Sequence, residues 1–252
     1  MDRRAAEDAL PQQLSLFDEA RAEPGAISYR FTRSKRRTIG LTVDASGLSV
    51  HAPHRAPWRE IEAFLREKHH WIVARLSEWA AVPPPAVIRG ASGETLPLFG
   101  ERAALEVRKG RSNVLRTGAQ IIVSASAPER AGLVLRLLVE WLKQQALNAL
   151  APRAAYYAAR LGRASPPVAL SRARSQWGVC TESGFIRLNW RLVHLEPALA
   201  DYVVAHEVAH LVELNHSKRF WNLLGTLYPD WRDARERLEL AGASLPQFQE
   251  PE

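Results

Sequence analysis

A short cluster in the last quarter of the chain combines residue types that can bind a metal ion and activate water. The letters HEVAH span residues 206–210, and a third histidine, His216, follows shortly after. His206 and His210 are four positions apart, so both imidazoles lie on one face of a helix. Neutral imidazoles are good zinc ligands, and Glu207 can reach a metal-bound water without ligating the metal itself. The pattern predicts zinc on His206 and His210, with His216 as the candidate third ligand and Glu207 as the general base.

Two simpler interpretations compete with this catalytic one. The first is a surface helix that carries two solvated histidines, and the second is a purely structural zinc site. Structural zinc sites usually close with four protein ligands, often cysteines. The chain has a single cysteine, which favours a site with one position open to water.

The segment around the cluster predicts a buried helix. Pro197 suits the first helical turn, where its missing N–H costs nothing. Asn215 is predicted to adopt a left-handed conformation that ends the helix and lets His216 turn back toward the metal. The helix is apolar beyond its metal-binding face, at Leu199, Tyr202, Val203, Ala209 and Leu214.

Two further helices are predicted after the cluster. Ser217 is expected to cap the first, and the second runs from about Trp231 to Leu240. Phe220 and Trp221 on the first of them either act directly in function or pack against His216 and hold it in place. We favour packing, because both belong to the apolar stripe of that helix.

Three strands are predicted before the metal-binding helix, at 168–171, 176–180 and 185–190. An edge strand of this kind commonly borders the cleft of a zincin and pairs with an extended substrate through its backbone. Gly178 indicates a bulge or a close backbone approach. Cys180 is a reactive thiol, a fourth ligand or a small buried residue, and His194 either bonds near the site or is structural.

The first half of the chain predicts a β-rich region. Strands alternate from residue 27 to 53 as a hairpin meander, a helix follows from Pro57 to about Ala81, and a proline-rich connector begins at Val82. Short strands are then expected near 94–98, 103–108, 112–116 and 120–124. A long helix follows from Arg130 to about Leu161, which Pro152 either bends or splits.

Residues 1–25 are polar and charged and predict a disordered tail. One apolar patch interrupts this tail, at Gln13, Leu14, Ser15, Leu16 and Phe17. The pentapeptide resembles the motif by which many bacterial proteins dock on the DNA-polymerase sliding clamp, in which apolar side chains of a flexible tail fill a groove. The alternative is that this segment packs on its own domain.

Composition narrows the class of protein. The chain of 252 residues is 46% hydrophobic and holds eight tryptophans, which indicates a globular protein. It lacks an apolar run of membrane-spanning length and an apolar signal-peptide stretch near Met1, and one cysteine fits a reducing cytoplasm, so a cytoplasmic location is expected. The formal net charge is +7. Much of this excess lies between Arg30 and Arg37, which marks either affinity for DNA or a solvated basic strand.

Several segments of the chain resemble the YgjP-like metallopeptidase family, which is akin to the WLM and SprT-like zinc proteases. The resemblance rests on residues 175–180, 186–192, 202–210, 215–217 and 220–221, and more weakly on 34–39 and 71–72. Together these segments span about residues 27–240. Gln176 replaces a usual Arg and Val179 a usual Ser, and these two departures concern substrate contacts more than metal binding.

The resemblance implies a zincin-like fold, zinc on His206, His210 and His216, and Glu207 as catalytic acid and base. The third-histidine spacing equals that of metzincins, but those carry Gly where this chain has Glu213, so the turn chemistry differs. SprT-like relatives include proteases that act on proteins crosslinked to DNA. The basic stretch and the clamp-like pentapeptide suit such a role here by analogy only.

These observations predict an α+β fold, a zincin-like metallopeptidase domain with an N-terminal β-rich region and long helices. The expected domains are a disordered tail at 1–25, a β-rich region with one helix at 26–130 and a catalytic domain at 131–245. The expected function is zinc-dependent hydrolysis of peptide bonds in a protein or peptide substrate. The alternatives are a non-catalytic, zinc-stabilised adaptor that binds nucleic acid or the sliding clamp, and a zinc hydrolase with a non-peptide substrate.

Overall fold

The computed structural model describes residues 13–15, 27–173 and 175–249, and for 13–15 the backbone alone. These residues form a mixed α/β chain with five α-helices and several small sheets. The chain divides into two compact units between Val82 and Pro83, within the proline-rich connector expected there. The predicted domain boundaries at 25/26 and 130/131 stay predictions. The clamp-like motif falls partly outside the described residues, at Leu16 and Phe17.

The first unit is a small mixed sheet with one long helix. Its elements are β1 (Gln13–Ser15), β2 (Ser28–Ser34), β3 (Gly40–Asp44), β4 (Gly47–Pro53) and α1 (Trp58–Ala80). Ile61, Leu65 and Ile72 on α1 are buried in the core of this unit. These three residues lie on one helical face, and Pro57 precedes the first turn, where proline is tolerated.

The predicted meander is wrong in its pairing. The strand order is β1-β2-β4-β3, and β2 pairs with β4 in parallel while β3 and β4 form the expected hairpin. Val50 and Ala52 of β4 are fully buried, as befits a strand paired on both sides. Alternating hydrophobicity identifies a strand and its buried face, but it does not identify the neighbour, which is why the sequence suggested a sequential arrangement.

The described residues of the second unit form three sheets. One pairs β5 (Val87–Ile88) with β13 (Gln247–Phe248) in parallel. Another has the order β6-β7-β9-β8, from strands Thr95–Leu98, Glu101–Lys109, Asn113–Thr117 and Gln120–Ala125, numbered β6 to β9 along the chain. The third has the order β10-β12-β11, from Val168–Ser171, Gly178–Cys180 and Ile186–Asn189, numbered β10 to β12.

Four α-helices and a 3₁₀ helix complete the second unit. The 3₁₀ helix covers Trp190–His194, and the α-helices are α2 (Ala131–Arg160), α3 (Pro197–Ala209), α4 (Lys218–Leu227) and α5 (Trp231–Ala243). Pro152 lies inside α2, which continues as one helix rather than splitting in two. No helix among the described residues is both long and apolar enough to cross a membrane.

Helix α3 is the central element of the second unit. Pro197 occupies its first turn, as predicted, and α3 packs against α2, α4, α5 and the edge strand β11. Most of its residues are buried, including Val204, Val208 and Ala209, which are fully buried. A helix buried on almost every side cannot shift or rotate easily, so side chains at its C-terminal end are held in fixed positions.

His194 is a structural histidine that belongs to the core. Its Nδ1 lies 2.7 Å from the carbonyl oxygen of Pro97. A carbonyl oxygen only accepts, so Nδ1 carries the hydrogen and donates a hydrogen bond to that oxygen. Among the described residues, its buried Nε2 has no hydrogen-bond partner. The rings of Trp190 and Phe248 pack against it, with centroids 5.5 and 5.7 Å away. Burial lowers the pKa of His194 to about 4.

We expect this histidine to destabilise the protein as the pH falls. The unfolded chain binds a proton near the ordinary pKa of about 6.5, whereas the folded chain resists protonation down to about 4, so stability is full above about pH 6.5 and declines below it. Between about pH 7.5 and 5 the loss is about 2 kcal/mol. The free energy of unfolding of the full chain is measured by urea titration in the presence of a chelator, and in the His194→Gln variant it is expected to fall by that much less over this pH range. If the free energy of unfolding changed equally with pH in the wild type and the variant, this assignment would be ruled out.

Candidate metal centre and active site

The end of α3 places two of the three histidines. His206 lies in the last turn of α3 and His210 follows as the cap, after which the chain turns through bonds from the N–H groups of Leu211 and Val212 to carbonyls of α3. His210 Nδ1 lies 2.9 Å from the carbonyl oxygen of Glu213. Because a carbonyl oxygen only accepts, Nδ1 of His210 carries the proton, and its Nε2 is left with a free lone pair for a ligand.

The predicted role of Asn215 is wrong. Phe99 is the one non-glycine residue with positive φ in the described part of the chain, so Asn215 is not left-handed. Its side-chain Oδ1 instead accepts a hydrogen bond from the backbone N–H of Ser217 at 3.1 Å. The helix has already ended at Ala209, which also explains why Leu214, predicted to be buried, is 59% exposed. A local side-chain bond has replaced the backbone conformation that the sequence suggested.

The structure brings His206, His210 and His216 together. One ring nitrogen from each lies within 4.8 Å of the others, and the Nε2 atoms of His206 and His216 are 3.0 Å apart. Tetrahedral ligands at the usual zinc–nitrogen distance are about 3.3 Å from one another. His206 also has a buried Nδ1 with no hydrogen-bond partner among the described residues. The donor set and its spacing therefore fit one small divalent ion.

Aromatic side chains of α4 hold the three imidazoles in place. The Phe220 ring is fully buried, and its centroid lies 4.9, 4.5 and 4.8 Å from those of His206, His210 and His216. Trp221 stacks on His216 at 5.6 Å. Ser217 caps this helix by accepting a bond from the Phe220 N–H. The predicted packing role of these two aromatic residues is confirmed.

Burial keeps two of the three histidines neutral. The pKa of His206 is lowered to about 3, first by burial and then by His210, His216 and Arg235. The pKa of His210 is lowered chiefly by burial, although its bond to the Glu213 carbonyl opposes that effect. Only a neutral imidazole offers a lone pair to a metal, so this environment favours the form that binds one.

Glu207 lies against the edge strand β11. Its side chain is buried at 6% exposure, and its carboxylate accepts a hydrogen bond from the backbone N–H of Cys180. Burial raises the pKa of Glu207 to about 7, although that hydrogen bond opposes the rise. A carboxyl group with a pKa near neutrality can both accept and release a proton during a reaction.

Gly178 makes this contact possible. A Cβ atom at Gly178 would lie 2.5 Å from Cγ and 2.6 Å from Oε1 of Glu207, closer than non-bonded atoms approach. The close backbone approach predicted for this glycine is therefore confirmed. The carboxylate of Glu207 occupies the space that any other side chain at residue 178 would fill.

A cleft of about 240 Å³ opens above these residues. His206 and Glu207 contribute to its wall together with Gln176, Trp177 and Tyr202. From the sequence, Tyr202 was noted only as an apolar position of the helix and as part of the family resemblance, and no role in the site was predicted for it. That residue lies one helical turn before His206, so the same periodicity that marks it as core also directs it toward the site.

The other candidates lie outside the cluster. Cys180 does not belong to the histidine group, and burial raises the pKa of its thiol to about 11, so neither a ligand nor a reactive thiolate is indicated. His194 serves the core. The interpretation of Cys180 as a small packing residue fits the structure best, but the side chain is only partly buried, not buried as predicted.

Comparison with known proteins identifies the class. The model of the YgjP-like metallopeptidase domain matches residues 37–241, so the chain belongs to the YgjP-like metallopeptidase family. No curated protein and no solved structure gives a match. Membership makes the chain a metallopeptidase, for which a metal and a protein substrate are implied, and the resemblance expected from the sequence is confirmed.

Gly178→Ala is expected to displace the Glu207 carboxylate by about 1 Å, and a displacement of that size at the expected catalytic group lowers peptidase activity about 100-fold. The metal content should stay at the wild-type value, since the three histidines come from other elements. Peptide hydrolysis and atomic absorption measure the two quantities. Gly110→Ala is the matched control, because its Cβ would meet Ser124 at an ordinary 3.4 Å. Wild-type turnover in the Gly178 variant would refute the close contact.

Proposed function

We propose that the chain is a zinc-dependent metallopeptidase with a zincin-like catalytic domain. His206, His210 and His216 would hold the zinc ion, and Glu207 would act as general base and then general acid. The observation that carries this proposal is the convergence of three imidazole nitrogens within 4.8 Å beside a buried carboxylate. Three protein ligands leave a coordination position for water or substrate, as catalytic zinc sites do.

The donor chemistry supports zinc over harder ions. Imidazole nitrogen suits zinc, copper, iron and nickel, whereas magnesium and calcium prefer oxygen ligands. Sulfur does not contribute, since Cys180 lies outside the histidine group. The bond between His210 and the Glu213 carbonyl is a typical arrangement for orienting a metal-binding histidine and raising its basicity.

Glu207 carries the proton transfers in this mechanism. When bound, the metal supplies Lewis acidity that polarises the scissile carbonyl and acidifies water. Glu207 accepts a proton from the attacking water and then delivers it to the nitrogen of the leaving amine. The Cys180 N–H holds the carboxylate in place through both steps, and burial keeps its pKa near 7, where either direction of transfer is accessible.

Strand β11 is placed to bind the substrate backbone. It lies at the edge of its sheet, and bonds from Asn189 N to Trp177 O and from Thr181 N to Phe185 O fix its register on β12. Residues alternate along a strand, so Gly178 and Cys180 direct their backbone groups away from β12, toward the side where Glu207 lies. An extended peptide added there would be recognised as a peptide, with little regard to its sequence.

Glu207→Gln is expected to lower kcat by at least about 100-fold while the protein keeps its zinc, because the amide fills the same space but accepts no proton. Hydrolysis of casein or of a quenched fluorescent peptide measures the rate, and atomic absorption measures the metal. His216→Ala is the complementary variant, expected to lose zinc together with activity.

Glu182→Gln is the matched control, because this exposed carboxylate in the turn after β11 takes no part in the site. Wild-type hydrolysis by the Glu207 variant would reject Glu207 as the base. Zinc-loaded wild-type protein that cleaves no peptide would favour the adaptor alternative.

A second candidate activity, contact with nucleic acid, is favoured by the first unit. Residues 27–82 carry ten basic and five acidic side chains. Trp58 is 44% exposed, its ring lies 4.7 Å from that of Phe31, and the exposed Arg55 and Arg59 stand near it in sequence. Exposed aromatic rings beside arginines are the usual platform for stacking the bases of single strands.

Docking on the sliding clamp stays a prediction, since only the backbone of Gln13–Ser15 is described, paired with β2.

Trp58→Ala is expected to weaken binding of a fluorescent single-stranded oligonucleotide about tenfold, as loss of one stacked base does. Anisotropy titrations at about 50 and 200 mM salt should also show the steep salt dependence of phosphate contacts. Trp71→Ala is the control, because Trp71 is 43% exposed on the same helix but about 140° round its axis from Trp58. If the Trp58 and Trp71 variants bound the oligonucleotide with equal affinity, the proposal that Trp58 stacks on a base would be rejected.

A further inference from the structure

Trp177 lies between two cavities. One is the cleft of about 240 Å³ that contains His206 and Glu207, and the other is a pocket of about 670 Å³ bounded by the end of α5 and by residues 245–249. Among the described residues, only Gln176 and Trp177 line both cavities. Gln176 is exposed, whereas Trp177 is partly buried against the core, so the indole is the larger and firmer part of the shared wall.

The cleft is lined mainly by apolar side chains. Besides Trp177, these are the buried Tyr202, Val203 and Leu238. Lysine and arginine are absent from the lining among the described residues, and the one carboxylate, Glu207, already takes a bond from the backbone of β11. A charged substrate side chain would lose its hydration here without gaining a counter-charge. The volume is below the about 300–1,000 Å³ of pockets for drug-sized ligands, so this space suits one side chain.

Hydrogen bonds fix Trp177 beside the proposed base. The carbonyl oxygen of Trp177 accepts a bond from the Asn189 N–H at 2.7 Å, and the Asn189 side-chain amide donates to the carbonyl oxygen of Gln176 at 3.1 Å. The next residue along β11 is Gly178, which lies against Glu207. Because Asn189 is itself buried, a wall tied to it keeps its shape when a ligand enters.

Helix α5 limits the movement of the indole. A Cβ atom at Gly242 would lie 3.0 Å from Cζ2 of Trp177, which is tighter than ordinary van der Waals contact. The missing side chain at Gly242 therefore lets the indole pack closely on α5. The ring has no room to withdraw toward that helix when a bulky side chain enters the cleft.

We propose that Trp177 determines the specificity of the cleft, which admits an aliphatic side chain next to the scissile bond and excludes larger or charged ones. The inference rests on the proposed peptidase function and adds a substrate class to it, namely peptides with leucine or a residue of similar size at that position. His206 and Glu207 line the same cleft, so the side chain that enters it belongs to a residue flanking the scissile bond. One methylene more or less in an apolar pocket changes kcat/KM by about 10- to 200-fold.

The test compares peptides that carry Ala, Leu, Glu or Trp at one position, which is moved one residue at a time across the cleavage site. For the zinc-loaded full chain, kcat/KM is expected to be about tenfold higher for the Leu peptide than for each of the others at a position flanking the scissile bond. A Leu-to-Trp ratio of one at both flanking positions would overturn the proposal, and so would a Leu-to-Glu ratio of one.

Variants assign the preference to the indole. Trp177→Ala is expected to join the two cavities and to bring the Leu-to-Trp ratio to one or below, and the milder Trp177→Phe is expected to lower it less. Trp141→Ala is the matched control, because Trp141 is also partly buried against the core but lines neither cavity. The control should keep the wild-type ratio. An unchanged ratio in either Trp177 variant that folds would refute the assignment.

Gly242→Ala tests the contact with α5. The added methyl group must shift the indole by a few tenths of an ångström, so the Leu-to-Trp ratio is expected to change about threefold in the otherwise wild-type protein. In the Trp177→Ala background the same methyl group meets no ring, and the ratio should not change. Equal effects of Gly242→Ala in both backgrounds, including no effect in either, would contradict the proposed wall.

Binding separates a failure of this inference from a failure of the proposed function. The Glu207→Gln protein, loaded with zinc, is titrated with fluorescent Leu and Trp peptides, and the Leu peptide is expected to bind about tenfold tighter. Selective binding without any hydrolysis by the wild type would reject the peptidase and keep the role of Trp177. Hydrolysis with equal binding and equal rates would keep the peptidase and reject that role.

Discussion

The contact between Glu207 and the backbone of β11 is the constraint on which the site depends. Gly178 leaves the space, the Cys180 N–H supplies the bond, and the carboxylate fills the gap. Because that strand also forms the free edge of its sheet, one backbone segment both orients the proposed base and offers the groups that a peptide would pair with. The proposed base and a peptide added to this edge would therefore be positioned by the same strand.

The histidines depend in turn on how α3 is buried. A helix packed on nearly every side gives its C-terminal residues little freedom, and α4 then covers the imidazoles with Phe220 and Trp221. Apolar packing therefore creates both properties that the site needs. It sets the geometry of the ring nitrogens, and by excluding water it keeps the pKa of His206 low enough that a lone pair is always available.

Local signals in the sequence predicted the parts of this site that are close in the chain. The HEVAH spacing, Pro197 at the start of α3 and Ser217 at the start of α4 all act through neighbouring residues, and each has the predicted role in local structure. The parallel pairing of β2 with β4 and the conformation of Asn215 were predicted wrongly, since each depends on a choice between competing contacts. The pocket beside Trp177 was not foreseen, because its walls come from three parts of the chain that are far apart in sequence, at Pro85, 173–191 and 242–249.

The parallel pair of β5 and β13 has a topological consequence. It joins Val87 and Ile88, near the beginning of the second unit, to Gln247 and Phe248, near its end, so this unit is closed into a ring by backbone hydrogen bonds. Residues 245–249 also complete the pocket wall. A ribosome therefore adds all three histidines and Glu207 before the residues that close this unit. A chain interrupted at residue 244 would retain the proposed catalytic groups and lack the strand that joins the two ends of this unit.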